Sequence, residues 1–345
     1  MNDTTPTLML TEAREAPAAA ARAIAANAQA CRALATRLRA KAPRFVVTCA
    51  RGSSDSAATY AKYLIELNLG LVVASVGPSV SSIYRAELDL RDALFIAISQ
   101  SGRSPDLLAL AEMSRRSGAL TVAIVNDESS PLAAAVEVTL GVKAGREESV
   151  AATKSYLASL AAILQLVAVW RNEQALLDAV AGLPDVLQAA ASANWESALP
   201  VVSGAENLYV VGRGPGYAAA QEAALKLKET SGLHAEAISA AELMHGPLAL
   251  ASSRFPVFAI GQDDATLPAL RQLLAVVSAQ GAPVIAAAPG GGWPGINLPV
   301  ANGKHPLVQP IAAIQSFYIL ADAVARARGR DPDRPQHLRK VTETV

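Results

Sequence analysis

Two short turns carry hydroxyls where a small anion could be held. Arg51-Gly52-Ser53-Ser54-Asp55-Ser56 follows the apolar run Phe45–Cys49, and Ser99-Gln100-Ser101-Gly102-Arg103-Ser104 follows Ala93–Ile98. Hydroxyls and backbone N–H groups at the start of a helix suit phosphate, because the helix dipole is positive there and the first N–H groups lack partners. One such turn is most simply a helix cap, serine being a preferred N-cap. Two at one sheet edge point to a phosphate site. Neither turn is a P-loop or a GxGxxG fingerprint, so a nucleotide is not the favoured carrier of that phosphate. A third segment, Glu147-Glu148-Ser149-Val150-Ala151-Ala152-Thr153-Lys154, reads equally as an ordinary helix start with acidic residues in its first turn.

The second half of the chain offers acid–base groups instead. Glu222, Lys226 and Glu229 stand at i, i+4 and i+7 and share one helix face. A solvated charged face is the simplest origin of such a row. Against it, the helix is otherwise apolar and is followed by His234, Glu236, Glu242 and His245-Gly246-Pro247. The histidines fit no zinc-ligand spacing, and no metal site is expected. The turn Gly212–Gly216 lacks hydroxyls, and Gly261-Gln262-Asp263-Asp264 is acidic and would repel phosphate. The phosphate therefore belongs to the first half.

The elements that must position these groups repeat once. Phe45–Cys49 and Asn207–Gly212 are apolar runs ending in an Arg-Gly turn, and Arg51 and Arg213 lie 162 positions apart. At that offset Leu94–Gln100 falls on Pro256–Gln262, and Gly118–Ile124 falls on Gly281–Ala287 at 163. A period this long means a duplicated domain. Apolar runs of about five without polar alternation suit strands buried on both faces of a parallel sheet. Amphipathic stretches such as Asp106–Ser117 and Ala265–Ser278 alternate with them, so each half reads as βαβ units in a doubly wound α/β sheet. The expected organisation is a helical lead-in over 1–40, a first domain over 41–195, a second over 196–330 and a tail over 331–345. Residues 153–195 should be mainly helical, broken at Gly182 and Pro184. By composition alone the tail, with its prolines and charges, reads as disordered.

The 345 residues carry 52% hydrophobic and 17% charged side chains, ample for large cores. Thirty basic residues balance thirty acidic ones, which argues against nucleic acid as the main partner. Cys31 and Cys49 cannot make a disulfide framework and fit a reducing compartment as small buried hydrophobes. The start, Met1-Asn2-Asp3-Thr4, lacks signal-peptide character, and the longest apolar stretch, Leu157–Trp170, is too short to span a membrane. A soluble cytoplasmic protein is expected.

Several stretches resemble the sugar isomerase (SIS) domain family, and within it the isomerase half of glutamine:fructose-6-phosphate amidotransferase. They are Ser99–Gly102, Ala151–Lys154, Ala224–Glu229, His234–Ala237, Glu242–Leu250 and the tail Asp333–Thr342. The resemblance implies two tandem SIS domains and a hexose 6-phosphate held by Ser53, Ser54, Ser99, Gln100, Ser101 and Ser104. It implies that Glu147 and the backbone at Val150 contact the sugar hydroxyls. Glu229 would be the base moving a proton between C1 and C2, with Lys226 assisting. His245 would help open the ring, acting from the partner subunit of a homodimer. Lys340 would meet the sugar carbonyl, which orders the tail over the active site.

The sequence also departs from the family pattern. Ala152 stands where the family has serine, and Arg103 where it has an acidic residue. No glutaminase domain is recognisable, and neither cysteine is placed as its N-terminal nucleophile. The implied activity is then deamination of glucosamine 6-phosphate with water to fructose 6-phosphate and ammonia, needing no metal or organic cofactor. Galactosamine 6-phosphate or a fructosamine 6-phosphate as substrate, and a non-catalytic sugar-phosphate sensor, stay open as alternatives.

Overall fold

The computed structural model describes residues 6–340. The apolar runs form ten strands in two parallel sheets of five. The first sheet holds β1 (Phe45–Cys49), β2 (Val73–Ser75), β3 (Ala93–Ser99), β4 (Leu120–Val125) and β5 (Val138–Gly141) in the order β2-β1-β3-β4-β5. The second holds β6 (Asn207–Gly212), β7 (His234–Ser239), β8 (Val257–Ile260), β9 (Val284–Ala287) and β10 (Ile296–Leu298) in the order β10-β9-β8-β6-β7. Taken from its other edge, the second order is the first with the strands renamed. The repeat seen in the sequence is thus a repeat of topology, and the fold is α/β with two doubly wound sheets. All seven residues of β3 are buried, as a central parallel strand demands.

The helices, in chain order, are α1 (Leu8–Ala40), α2 (Ser53–Leu69), α3 (Ser79–Ser82), α4 (Pro105–Arg116), α5 (Pro131–Ala135), α6 (Lys154–Arg171), α7 (Gln174–Ala191), α8 (Leu199–Gly204), α9 (Pro215–Ser231), α10 (Ala240–Met244), α11 (Leu267–Ala279) and α12 (Gln309–Ala327). Two compact units result, neither contiguous in sequence. One comprises residues 18–147 and 154–181; the other comprises residues 6–17, 148–153 and 182–340. The boundaries expected from the chain therefore differ from those found. The N-terminal helix is no separate lead-in, because α1 contributes to both units, and residues 331–340 belong to the unit of the second sheet. The part of the expected tail beyond residue 340 lies outside the described residues.

Local chemistry explains how each unit is held. In the first, Asn27 of α1 donates to the Gly141 carbonyl at 2.8 Å and accepts from the Gly141 N–H at 2.9 Å, which occupies the edge strand β5. Leu107, Leu110, Ala111 and Met113 of α4 pack on Val47, Phe95 and Ala97 of the sheet. In the second, Leu270, Leu273, Leu274 and Val277 of α11 pack on Val211, Ala259 and Ala286. No helix of the described residues is long and apolar enough to cross a membrane.

The expected helix break at Gly182 and Pro184 is wrong. Both lie inside α7, and the break comes at Asn172, whose φ of 57° ends α6. Asparagine tolerates the left-handed conformation that terminates a helix. Pro184 forfeits one backbone bond, a penalty of about 3 kcal/mol. The buried stripe Leu176, Leu183 and Leu187 holds α7 across it.

Candidate functional site

In open parallel sheets ligands bind beyond the strand carboxyl ends, at the point where strand order reverses. In the first sheet that point lies between β1 and β3, and the two serine turns follow those strands. Both open helices without side-chain caps. The residue preceding α2 is Gly52 (φ 57°), and that preceding α4 is Ser104; neither supplies a capping side-chain hydrogen bond. Elsewhere serine does cap: Ser130 accepts from the Ala133 N–H and Ser239 from the Ala241 N–H. The N-cap explanation of Ser104 is therefore set aside: its hydroxyl takes no first-turn N–H, and the Leu107 N–H goes instead to Asp106 Oδ1 at 2.8 Å. Ser99 accepts from the Gly102 N–H at 3.0 Å and Ser101 from the Arg103 N–H at 3.3 Å, which shapes the second turn. Gly102 needs its φ of 62°, and a Cβ there would sit 2.1 Å from Ser130 Oγ. Ser53, Ser54, Gln100, Ser101 and Ser104 are half-buried and Ser99 is buried.

Charge around these turns is balanced in pairs. Arg51 meets the fully buried Asp106 at 2.9 Å, and Arg103 meets Asp127 at 2.8 Å. Partial burial raises the Asp55 pKa from its ordinary value, with Arg51 opposing that shift. Glu147 is buried, and its carboxylate accepts from the Ser155 N–H at 3.1 Å and the Ser155 hydroxyl at 2.6 Å. It caps α6, as the plain reading of that segment has it.

The equivalent point of the second sheet lies between β6 and β8 and is closed. Gln262 is fully buried there, and its Nε2 donates to the Arg213 carbonyl, Asp264 Oδ2 and Thr266 Oγ1 at 2.9–3.0 Å. A Cβ on Gly216 would come within 2.4 Å of Gln262 Oε1. The side chain fills the crevice that the first sheet leaves to its serines.

The charged row on α9 is not a solvated face. Lys226 is 1% exposed and Glu222 is fully buried, while the Glu229 side chain is 23% exposed. Lys226 Nζ lies 3.6 Å from Glu222 Oε1 and donates to Glu229 Oε2. Glu229 also lines a cavity of about 640 Å³ with Arg330, Arg334 and His337 among its other walls. A carboxylate on a cavity wall, with a buried ammonium behind it, is an arrangement that can accept and return a proton.

Two further predicted residues come together. The Lys340 ammonium donates to the Ser149 carbonyl at 2.7 Å, next to Val150. That loop is tied down by Glu12, whose carboxylate accepts from the Glu148 and Ser149 N–H groups at 2.5 and 3.2 Å. Asp333 accepts from the N–H groups of Leu8 and Met9 at 2.7 and 2.8 Å, which orders the tail that composition alone marks as disordered. His245 stands apart. It is exposed at the end of α10, and among the described residues no hydrogen bond or ion pair joins it to Glu229 or Lys226.

Comparison with known proteins decides the lineage. The SIS domain profile matches residues 40–169 and 202–289, one stretch on each sheet. The chain belongs to the SIS domain family. Among its relatives is the glutamine–fructose-6-phosphate aminotransferase (isomerizing) of Aeropyrum pernix, 33% identical across 97% of this chain and 57% of that protein. The SIS chain thus spans little more than half the length of such relatives. A crystal structure of a candidate phosphosugar isomerase from Silicibacter pomeroyi DSS-3 is 42% identical, with a TM-score of 0.91 over 95% of this chain and all of that one. The C-terminal domain of the glucosamine-fructose-6-phosphate aminotransferase of Francisella tularensis is 27% identical, with a TM-score of 0.84 over 97% of this chain and all of that domain. The role of Gln262 was not foreseen. The repeat carried a signal for it, since Gln262 falls on Gln100 at the common offset.

Proposed function

We propose that this protein moves a proton between C1 and C2 of a hexosamine 6-phosphate and, with water, releases ammonia. The observation that carries the reading is Glu229, a partly exposed carboxylate on a cavity wall backed by the buried Lys226 ammonium. The uncapped first turns of α2 and α4, with Ser53, Ser54, Ser99, Gln100, Ser101 and Ser104, take the sugar's phosphate. Held remotely from the reacting carbons, the phosphate positions the substrate, which is worth several kcal/mol of barrier.

In the reaction, ring-opened glucosamine 6-phosphate gives its C2 proton to Glu229. The enolamine is reprotonated at C1, which leaves a ketimine at C2. Water adds to that carbon, ammonia departs, and fructose 6-phosphate remains. Lys226 stays beside Glu229 and donates to its Oε2. Lys340 is assigned to the sugar carbonyl, Glu147 and the Val150 backbone to the hydroxyls, and His245 to ring opening from the partner subunit of a homodimer. Water is the only co-reactant this direction needs. The word isomerizing in the name of the aminotransferase relatives supports reading this chain as one that isomerises a sugar phosphate.

The test is ammonia and fructose 6-phosphate release from glucosamine 6-phosphate without glutamine or added metal, with galactosamine 6-phosphate in parallel. Equal amounts of both products from the gluco sugar are expected. Glu229→Gln should lower turnover by about 10²–10⁴, the usual worth of a general base. Near-normal turnover in that variant removes Glu229 from the role. Tight binding without turnover of either sugar would point to another amine or to a sensor.

A further inference from the structure

The row on α9 holds one carboxylate more than a simple ion pair needs. Glu222 precedes Lys226 by one turn, Glu229 follows it, and both lie within reach of the same ammonium. Glu222 is fully buried, and a carboxylate so deep must be met by donors. One donor comes from α12. The hydroxyl of Tyr318, itself fully buried, donates to Glu222 Oε1 at 2.9 Å. That oxygen is the one that faces Lys226 Nζ. Neither Glu222 nor Tyr318 lines the cavity at Glu229.

Two carboxylates therefore compete for one cation. A donor that satisfies Glu222 weakens its pull on the ammonium and leaves Lys226 to Glu229. Buried polar chains of this kind act as units, because each bond strengthens or weakens its neighbour in a medium of low dielectric. We propose that Tyr318 is a positioning residue for the base. By donating to Glu222 it keeps the Lys226 ammonium on Glu229, although it touches neither substrate nor Glu229. The proposal rests on the reading of Glu229 as the group that moves the proton.

The test is a double-mutant cycle between Tyr318→Phe and Glu222→Gln, read as kcat and KM for glucosamine 6-phosphate. Tyr318→Phe alone should lower kcat about tenfold with KM unchanged, since the phosphate turns are untouched. Combined with Glu222→Gln, the same change should cost less than twofold, because the competing charge is gone. A tyrosine that only fills space predicts equal costs in both backgrounds, and that result overturns the proposal. An unchanged kcat in Tyr318→Phe alone does so too. Should Tyr318→Phe fail to fold, Glu222→Gln by itself decides: kcat should stay undiminished, and a tenfold loss in a folded variant refutes the competition. Exchange of the C1 proton of fructose 6-phosphate with D₂O, followed by NMR, separates the failures. Exchange in the wild type without ammonia release sinks deamination, and the cycle is then read on the exchange rate in place of kcat. Neither exchange nor ammonia release in the wild type sinks the role of Glu229 and this proposal with it.

Discussion

Replacing Lys226 by methionine isolates the electrostatics of the α9 row. The side chains are similar in length, so packing changes little and the charge is lost. Glu222, fully buried, would lose an ammonium 3.6 Å away. At an effective dielectric of about 20 that attraction is roughly 4–5 kcal/mol, close to the roughly 3–5 kcal/mol that removing one partner of a buried pair costs. Glu229 loses its partner as well, but water reaches it. Such a loss is a large share of the roughly 5–15 kcal/mol that holds a domain together. For a unit of this size it lowers Tm by roughly 6–20 °C. Calorimetry is the assay, because a chain of two units need not unfold in one step and the shift should fall in the transition of the second unit. Combining Lys226→Met with Glu222→Gln should recover most of the loss, since the stranded charge, not the missing chain, is its source. A loss below about 1 kcal/mol, or no recovery in the double variant, would mean that the row is solvated and that the reasoning fails.

Other expectations are as direct. Ser104→Ala should weaken fructose 6-phosphate binding by about 10–100-fold, the worth of a hydrogen bond to a charged group, and leave Tm unchanged because Ser104 caps nothing. Ser130→Ala, which removes a true cap, should show the reverse pattern, with about 1 kcal/mol lost in urea unfolding and affinity kept. Gly102→Ala meets both a φ of 62° and a Cβ contact of 2.1 Å with Ser130 Oγ. It should cost roughly 2 kcal/mol or more and abolish sugar-phosphate binding measured by calorimetry. Burial pushes both Cys31 and Cys49 up to about 12, so neither thiol should react with iodoacetamide at pH 8 until urea unfolds the chain. Above pH 9 the unfolded chain gives up these protons while the folded one keeps them. Stability should therefore fall as pH rises from 9 toward 12, and Cys49→Ala should flatten the slope of the urea midpoint.

The sequence by itself determined the architecture. Short apolar runs of about five, bounded by turns, suit strands buried on both faces, and their recurrence at one offset pointed to a second sheet of the same topology. The residue types of the candidate site were legible too, since hydroxyl-rich turns and an i, i+4, i+7 charged row are local patterns. What side chains do when folded was not. Ser104 and Ser130 are both serines at a helix start, yet only Ser130 caps, because capping depends on where the preceding loop aims the hydroxyl. The row on α9 looked solvated because i, i+4 spacing says nothing of what packs against it, and α12, almost a hundred residues away, buries it and brings Tyr318 to Glu222. Pro184 looked like a helix breaker because propensity is local, whereas the buried leucine stripe that overrides it is tertiary. Gln262 closes the second crevice for the same reason: a glutamine's partners are assembled only when β6 and β8 lie side by side. Period and residue type are properties of the chain, but burial and partnership are properties of the fold, and the chemistry of Glu229 depends on both.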